Sequence, residues 1–531
     1  MFRRSASRRS APRRSAAAVV VVVTLALLDS SWGCTLEFVC EGDEQCALDG
    51  REGVCESDGY CSFPDSSCDS GRRYHDSASS TLAGRCTTPE AMGSSGDPPA
   101  DPTSEPSEPS EPPVPGCGDG IVDEGEDCDD GNEIDGDGCN IDCRLSGDVV
   151  WNDEYDGLDD ARDEAWGVVL SPEGDVFVAG RVSVPGNRTI AWVRKYDGDG
   201  TELWTEDFGS HSDEGNDSAL TLALRPEGGL YVGGWVGKAD TSEAPVDVED
   251  SWLARIDPQT GEYDGEVAEV IFADRIGSVG NDRIRGITVA EDGDILVAGW
   301  TLASADSNGE DLWYGRVDPE SLELRWFDVV DGGVGPEKGV WNHVAVSPER
   351  SVVAGSIGGS PGRRGWLRYL AADGAPTETF ELEQVSEWID VQTIPGTSDL
   401  VLAGTRFAPA RAVAQRITPQ GEAIWTGGWS EPEPTVQEQL YAVAVGPAGE
   451  IVITGRVLFD DDNVNDEEWD AWITKFDASG NHLWTRTHGG SAGSSDVASD
   501  VAVDQDGSVV IVGYRVSATN GRNIWVRKYT P

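Results

Sequence analysis

Carboxylates dominate the reactive side chains of this 531-residue sequence, with 97 acidic residues against 39 basic ones and only five histidines. The densest oxygen cluster, Asp127, Asp129, Asp130, Asn132, Asp135 and Asp137, lies in and beside the glycine-rich stretch CDDGNEIDGDGC. So many oxygen ligands in so short a segment suit a hard cation, and calcium is the cofactor expected there. An EF-hand is excluded: aligning Asp135, Asp137 and Gly138 to that loop puts Arg144 where a bidentate glutamate is required. The alternative is that these side chains shape turns and stay in solvent. A second acidic group, Asp460, Asp461, Asp462, Asp466, Glu467 and Glu468, is expected on a face that binds a cation or a basic partner. Acid–base catalysis has one pairing on offer, His343 with Asp390, and the alternative role for that histidine is a hydrogen-bonded structural one. No nucleophile motif, phosphate-binding loop or dense histidine cluster accompanies it.

A formal charge of −58 argues against nucleic acid and anionic membrane surfaces as partners. Residues 1–33 read as an export signal, with six arginines between Arg3 and Arg14 followed by an apolar run from Ala16 to Leu28. That run is too short to span a bilayer as a helix, and no later stretch is apolar enough to do so. An exported chain reaches an oxidising compartment, where cysteines pair. All 11 cysteines lie between Cys34 and Cys143. Cys34, in SWGC directly after the signal, resembles the lipidated cysteine of a bacterial lipoprotein; the alternative is an ordinary cleaved signal. The other ten divide into six (Cys40, Cys46, Cys55, Cys61, Cys68, Cys86) and four (Cys117, Cys128, Cys139, Cys143), each an even set expected to form disulfides. The six allow 15 pairings, among which the sequence does not choose.

The expected organisation is a signal over 1–33, a disulfide-stapled module over 34–96, a semi-rigid Pro/Glu/Ser spacer over 97–115, a second cysteine module over 116–147 and a repeat domain over 148–531. The stretch CGDGIVDEGEDCDDGNEIDGDGCNIDC, residues 117–143, resembles the myxobacterial cysteine-rich repeat. That resemblance implies a small disulfide-bonded extracellular module, a source among myxobacteria or their relatives, and no enzymatic activity.

From Asp148 onward one pattern recurs seven times, each copy anchored by a glycine that ends a β-rich run: Gly180, Gly234, Gly299, Gly355, Gly404, Gly455 and Gly513. Spacings of 49 to 65 residues suit a four-stranded blade. The first copy reads as four strands, WGVVLS, VFVAGRV, AWVRKYD and ELWTEDF, joined by turns of glycine with aspartate or proline. A tryptophan opens the third strand in six copies, with Val413 replacing it in the fifth, and is expected to pack between blades. The seventh copy stops at WVRKYTP, after its third strand, whereas DVVWNDEYDG at 148–157 reads as an outer strand with no blade of its own. The sequence therefore predicts an all-β fold, a seven-bladed β-propeller closed by the N-terminal strand and preceded by small disulfide-rich modules. The repeat also resembles a family of bacterial secreted propeller repeats, a likeness that implies structure and no particular chemistry.

Aligning the innermost strands on their turns puts Gly167, Thr221, Gly286, His343, Asp390, Ala442 and Asp500 around the central channel. The long loops gather on one face and are acidic: 210–217, 243–250, 304–311 and 460–470. The expected function is a non-enzymatic binding or adhesion protein, lipid-anchored at the cell surface or secreted, monomeric, with a protein or glycan ligand and no nucleic-acid partner. The competing reading is an extracellular propeller hydrolase or lyase working at the channel.

Overall fold

Seven antiparallel four-stranded sheets form the core of this protein, a seven-bladed β-propeller within an all-β chain. They are seen in a computed structural model that describes parts of 46–74 and 122–147 and most of 148–531, with loop segments such as 209–215, 238–248, 302–310 and 460–468 outside the described residues. Two compact units, Met1–Glu111 and Pro112–Pro531, divide the chain. In the first, the described strands are two to four residues long and a disulfide joins Cys46 to Cys61. In the second, Cys128 pairs with Cys139, and Cys143 is disulfide-bonded to a partner outside the described residues. Cys34, Cys40, Cys68, Cys86 and Cys117, the export signal and the 97–115 spacer also lie outside them.

Blade 1 sets the pattern, with strands Glu164–Leu170, Val176–Val184, Arg188–Tyr196 and Glu202–Phe208 running from the channel outward. The anchor glycine sits in the second strand, and its Cα partner in the third is the recurrent tryptophan: Gly180 opposite Trp192, Gly299 opposite Trp313, Gly513 opposite Trp525. On its other side every inner strand carries a β-bulge at the same place. The register skips Trp166, Leu220, Arg285, Trp341, Ile389, Tyr441 and Ser499 in turn. A bulge pushes the backbone of its strand toward the partner, and this explains the glycine. A Cβ at Gly513 would fall far inside contact distance of the Val497 carbonyl oxygen, and the same holds for Gly180 with Glu164 and Gly299 with Arg283.

Seven hydrophobic clusters fill the seven seams between blades. Trp252 packs with Phe177 and Ala179 of blade 1, Trp313 with Tyr231 and Leu253 of blade 2, and Trp192 with Val510 and Val526 of blade 7, closing the ring. Blade 5 lacks this tryptophan, and the gap is filled from a different strand. Trp388, on the inner strand Glu387–Thr393, is fully buried in the seam with Val352, Leu367 and Val413.

The last blade has strands Val497–Val503, Val509–Val516 and Arg522–Tyr529, and its outer strand is Val149–Tyr155, paired from Ile524 opposite Tyr155 to Tyr529 opposite Val149. Trp151 does what Trp204 does in blade 1. Trp204 donates its indole N–H to Pro258 O in the turn of the next blade, and Trp151 donates to Gly198 O at 3.1 Å. Each of these tryptophans also lies against a positive-φ turn glycine, Gly261 for Trp204 and Gly200 for Trp151. Blade 7 has no such turn after Tyr529, and Gly147 (φ 74°) takes its place beneath Trp484 of blade 6. The first and last segments of the propeller are tied there: Gly147 N–H donates to Pro531 O, Thr530 N–H to Asp148 O, and Asp148 N–H to Thr530 Oγ1. The segment before Asp148 is thus part of the ring, because Arg486 also donates to the Ser146 and Gly147 carbonyls.

Because the bulge leaves no room at the anchor, Gly513→Ala should cost about 2–4 kcal/mol in urea unfolding of the intact protein. Gly198→Ala, whose Cβ would meet only Gly174 O at 3.5 Å, should be nearly neutral. Trp388→Ala should cost as much as Trp366→Ala, about 3–5 kcal/mol, since both fill a seam.

Candidate functional site

Two places on the propeller gather polar side chains away from bulk solvent: the central channel and the face bearing the long loops. At the channel, the residues following the seven bulges are Gly167, Thr221, Gly286, Asn342, Asp390, Ala442 and Asp500. Blade 4 differs from the sequence-based alignment, which put His343 in that ring. Asn342 is the residue opposite Ala354, and His343 lies one place further on, opposite Val353. The turn of that blade is shorter, with Ser347 paired directly to Arg350 after a second register shift, so counting back from the turn lands one residue late.

The two channel aspartates have both oxygens engaged by backbone. Asp390 accepts from Val391 N–H at 2.7 Å and, across the seam, from Val443 N–H of blade 6 at 2.9 Å. Asp500 repeats this with Val501 N–H and Val168 N–H of blade 1, both at 2.9 Å. Each carboxyl thus clamps its blade to the next. Burial, reinforced by the charge of Asp390, pushes the Asp500 carboxyl up to about 8.

A second set of carboxylates lies at the long-loop end of five blades. Asp163 and Asp496 immediately precede their inner strands, Asp217 and Asp282 begin theirs and Glu438 lies within its own, and all five are buried. Asp163 accepts from Ser183 N–H at 2.6 Å, Asp217 from Gly237 N–H at 2.9 Å, and Glu438 from Ala412 N–H at 3.1 Å. Burial raises Asp163 and Asp496 to about 6. The residue before each adds a further tie: Asn216 Oδ1 accepts from Thr189 N–H and Asn281 Oδ1 from Glu249 N–H. The last residue of each acidic loop is therefore structural as well, with Asp217, Asp250 and Asp311 buried and Asp470 half-buried. A recurring Asn-Asp or Ser-Asp before the inner strand, and Asp two residues before the third-strand tryptophan, were the sequence signals for this role. Asp460, Asp461, Asp462, Asp466, Glu467 and Glu468 lie outside the described residues. Of the calcium set, Asp127 and Asp129 are described and Asp130, Asn132, Asp135 and Asp137 are not; Asp129 Oδ1 accepts from Gly131 N–H at 2.8 Å, a turn contact. Among the described residues no three acidic, histidine or cysteine side chains are grouped to hold a metal.

The long-loop face also carries a cleft of about 300 Å³ between blades 1 and 2, lined by Arg162, Arg181 and Arg188, by Arg283 from blade 3 and by Glu249, the only carboxylate among the described residues that line it. Its wall is completed by Ser183, Thr189, Asn216 and Trp235. Arg283 pairs with Glu249 and lies over the rings of Trp235 and Trp300, at 4.8 and 5.0 Å from their centroids. Arg181 pairs with the fully buried Glu164, which Arg522 also contacts. Arg162 is exposed, but its backbone is held by donation from its N–H to Ser183 Oγ at 2.6 Å. Nothing in the sequence pattern marks these arginines, which come from four separate segments.

No family model matches this chain, and no curated protein does either. Among solved structures, hydrazine synthase from Kuenenia stuttgartiensis is 13% identical, the match covering 68% of this chain and 94% of that one, with a TM-score of 0.42. Sqt1 from Chaetomium thermophilum is 12% identical over 71% of this chain and 86% of its own, with a TM-score of 0.38. A subtype N10 neuraminidase-like protein of A/little yellow-shouldered bat/Guatemala is 9% identical, the match covering 58% of this chain and 92% of that one, with a TM-score of 0.33.

The buried groups give the propeller a pH signature. His488, stacked on Trp525, is lowered to about 4 by burial and by Arg527 and Arg515, so its contribution is lost as pH falls from 6.5 toward 4. Asp163 and Asp496 act oppositely, losing theirs as pH rises from 4 through 6. Above pH 6.5, Asp500 carries the effect: its folded value exceeds its unfolded one, so stabilisation present in acid is lost as pH rises through 8. Unfolding free energy should fall by about 2 kcal/mol between pH 6.5 and 8.5, and Asp500→Asn should flatten that decline in urea melts.

Proposed function

We propose that this chain is a non-enzymatic, exported binding protein that presents the long-loop face of its propeller to a ligand, tethered through Cys34 at the cell surface. One observation carries the reading. The carboxyls facing the channel, the groups best suited to acid–base catalysis, spend both oxygens on backbone N–H groups of two blades, as Asp390 and Asp500 do. A general acid or base must be able to reach the proton it transfers, and these hold the ring together instead. The exposed polar concavity is elsewhere, between blades 1 and 2, on the face where the variable loops gather. The disulfide modules and the proline-rich spacer support the same picture of a propeller displayed outside the cell.

The test is a screen of the intact secreted protein on immobilised neutral and acidic polysaccharides and extracellular proteins, with soluble products assayed in parallel. The expected result is saturable retention without release of product. Turnover of any of them, abolished by Asp390→Asn in a variant that keeps its melting temperature, would replace this reading with a hydrolase or lyase working at the channel.

A further inference from the structure

Cys128, Cys139 and Cys143, each disulfide-bonded, crowd the segment that completes the ring. That segment has no apolar core of its own to hold its shape. Residues 136–147 offer Ile141 and Leu145 as their large aliphatic side chains, and both are exposed. The interior is polar instead. Asn140 Oδ1 accepts from Gly136 N–H at 2.9 Å and from the Ser146 hydroxyl at 3.0 Å, Ser146 N–H donates to Gly138 O at 3.2 Å, and Asn140 and Ser146 are both buried. A few hydrogen bonds fix a polar, glycine-rich loop only when its ends are already held together. The Cys128–Cys139 bond does this, and Asp127 N–H, beside it, donates to Cys143 O at 3.0 Å.

We infer that the disulfides of this module are a redox-sensitive latch for the propeller. Oxidised, they hold 136–147 in the path that closes the ring; reduced, they release it, and the outer strand of blade 7 frays. The inference is independent of the ligand-binding reading. The contacts that carry the latch are made to the module's backbone and glycines. Arg486, on the outer strand of blade 6, donates to Ser146 O at 2.6 Å and Gly147 O at 3.1 Å, and Thr530 Oγ1 donates to Leu145 O at 2.9 Å. Gly147 lies beneath Trp484, and Gly136 (φ 88°) lies against Lys475 Nζ and Pro531. These contacts therefore depend on the path of the backbone, which the disulfides set. The strand they secure is the one most in need of it. Val149–Tyr155 pairs on one edge only, with Arg522–Tyr529, and reaches blade 7 from the other end of the domain, whereas the other outer strands follow their third strands along the chain. Thiol–disulfide exchange with a dithiol breaks the bond between Cys128 Sγ and Cys139 Sγ and leaves two thiols, while the dithiol gives up two electrons and two protons and closes to its own disulfide.

Hydrogen exchange read by mass spectrometry on the folded full chain, before and after dithiothreitol, tests this. Reduction should lower protection of Val149–Tyr155 and Arg522–Tyr529 by about a hundredfold, leave Ile295–Thr301 of blade 3 unchanged, and be reversed by reoxidation. Cys128→Ser with Cys139→Ser should reproduce the loss without reductant; if that variant does not fold, the reduced wild-type chain still decides. Cys46→Ser with Cys61→Ser, in the other compact unit, should retain full protection in air. Unchanged protection of Val149–Tyr155 on reduction would overturn the inference. So would an equal loss in every blade, or a loss produced by the Cys46 and Cys61 variant, since neither would place the effect at this latch.

Discussion

Everything in this propeller hangs on a close approach repeated in at least six of the seven blades, where the bulged inner strand presses its carbonyl against a glycine in the second strand. The bulge increases the local twist and turns the inner strand toward the axis. A side chain at the anchor would force the two strands apart, and the space that the glycine leaves is covered from the third strand by a tryptophan. That tryptophan reaches across to the neighbouring blade, so one local backbone feature sets both the geometry within the blade and the apolar seam between blades. The core is accordingly seven seams arranged in a ring, and each blade buries its apolar faces against the blades on either side of it.

Such a ring has one weak place, the point where the first and last segments of the propeller meet. The answer here is a strand from the N-terminal side and a glycine from the end of the cysteine module. Gly147 reproduces, beneath Trp484, the turn glycine that the seventh repeat lacks, and Asp148 and Thr530 tie the two ends by backbone and hydroxyl hydrogen bonds. The cysteine-rich segment over 136–147 therefore ends inside the blade geometry. Gly136 lies close to Lys475 and Pro531, a second contact of the same kind.

Charge is divided between two tasks. Asp163 and Asp217 accept backbone N–H groups within their own blades and Asp390 and Asp500 accept them across the seams, which offsets part of the cost of burying these carboxylates. The arginines of the blade 1–2 cleft lie on the same face and use two carboxylates, Glu164 and Glu249, as orienting partners.

The repeat, its seven copies, the interblade tryptophans and the closure by residues 148–157 were legible in the amino-acid order, since each rests on local periodicity or on turn chemistry that recurs at fixed spacing. Other features depend on tertiary placement. Trp388 stands in for the tryptophan missing at Val413 from another strand of the same blade, a substitution visible only once both side chains share a seam. The shortened turn at Ser347 and Arg350 moves Asn342 into the channel ring in place of His343, and no propensity reports a register shift of one residue. The acidic loops looked like binding surface because charge is usually solvated, yet Asp217, Asp250 and Asp311 at their ends are buried, and Asp217 accepts Gly237 N–H from the next strand of its blade. The arginine cleft joins residues 162, 181, 188 and 283, which only the ring of blades brings together. Local order was written in the spacing of residues along the chain; which polar groups became structural and which face a cleft was decided by the packing of one blade on the next.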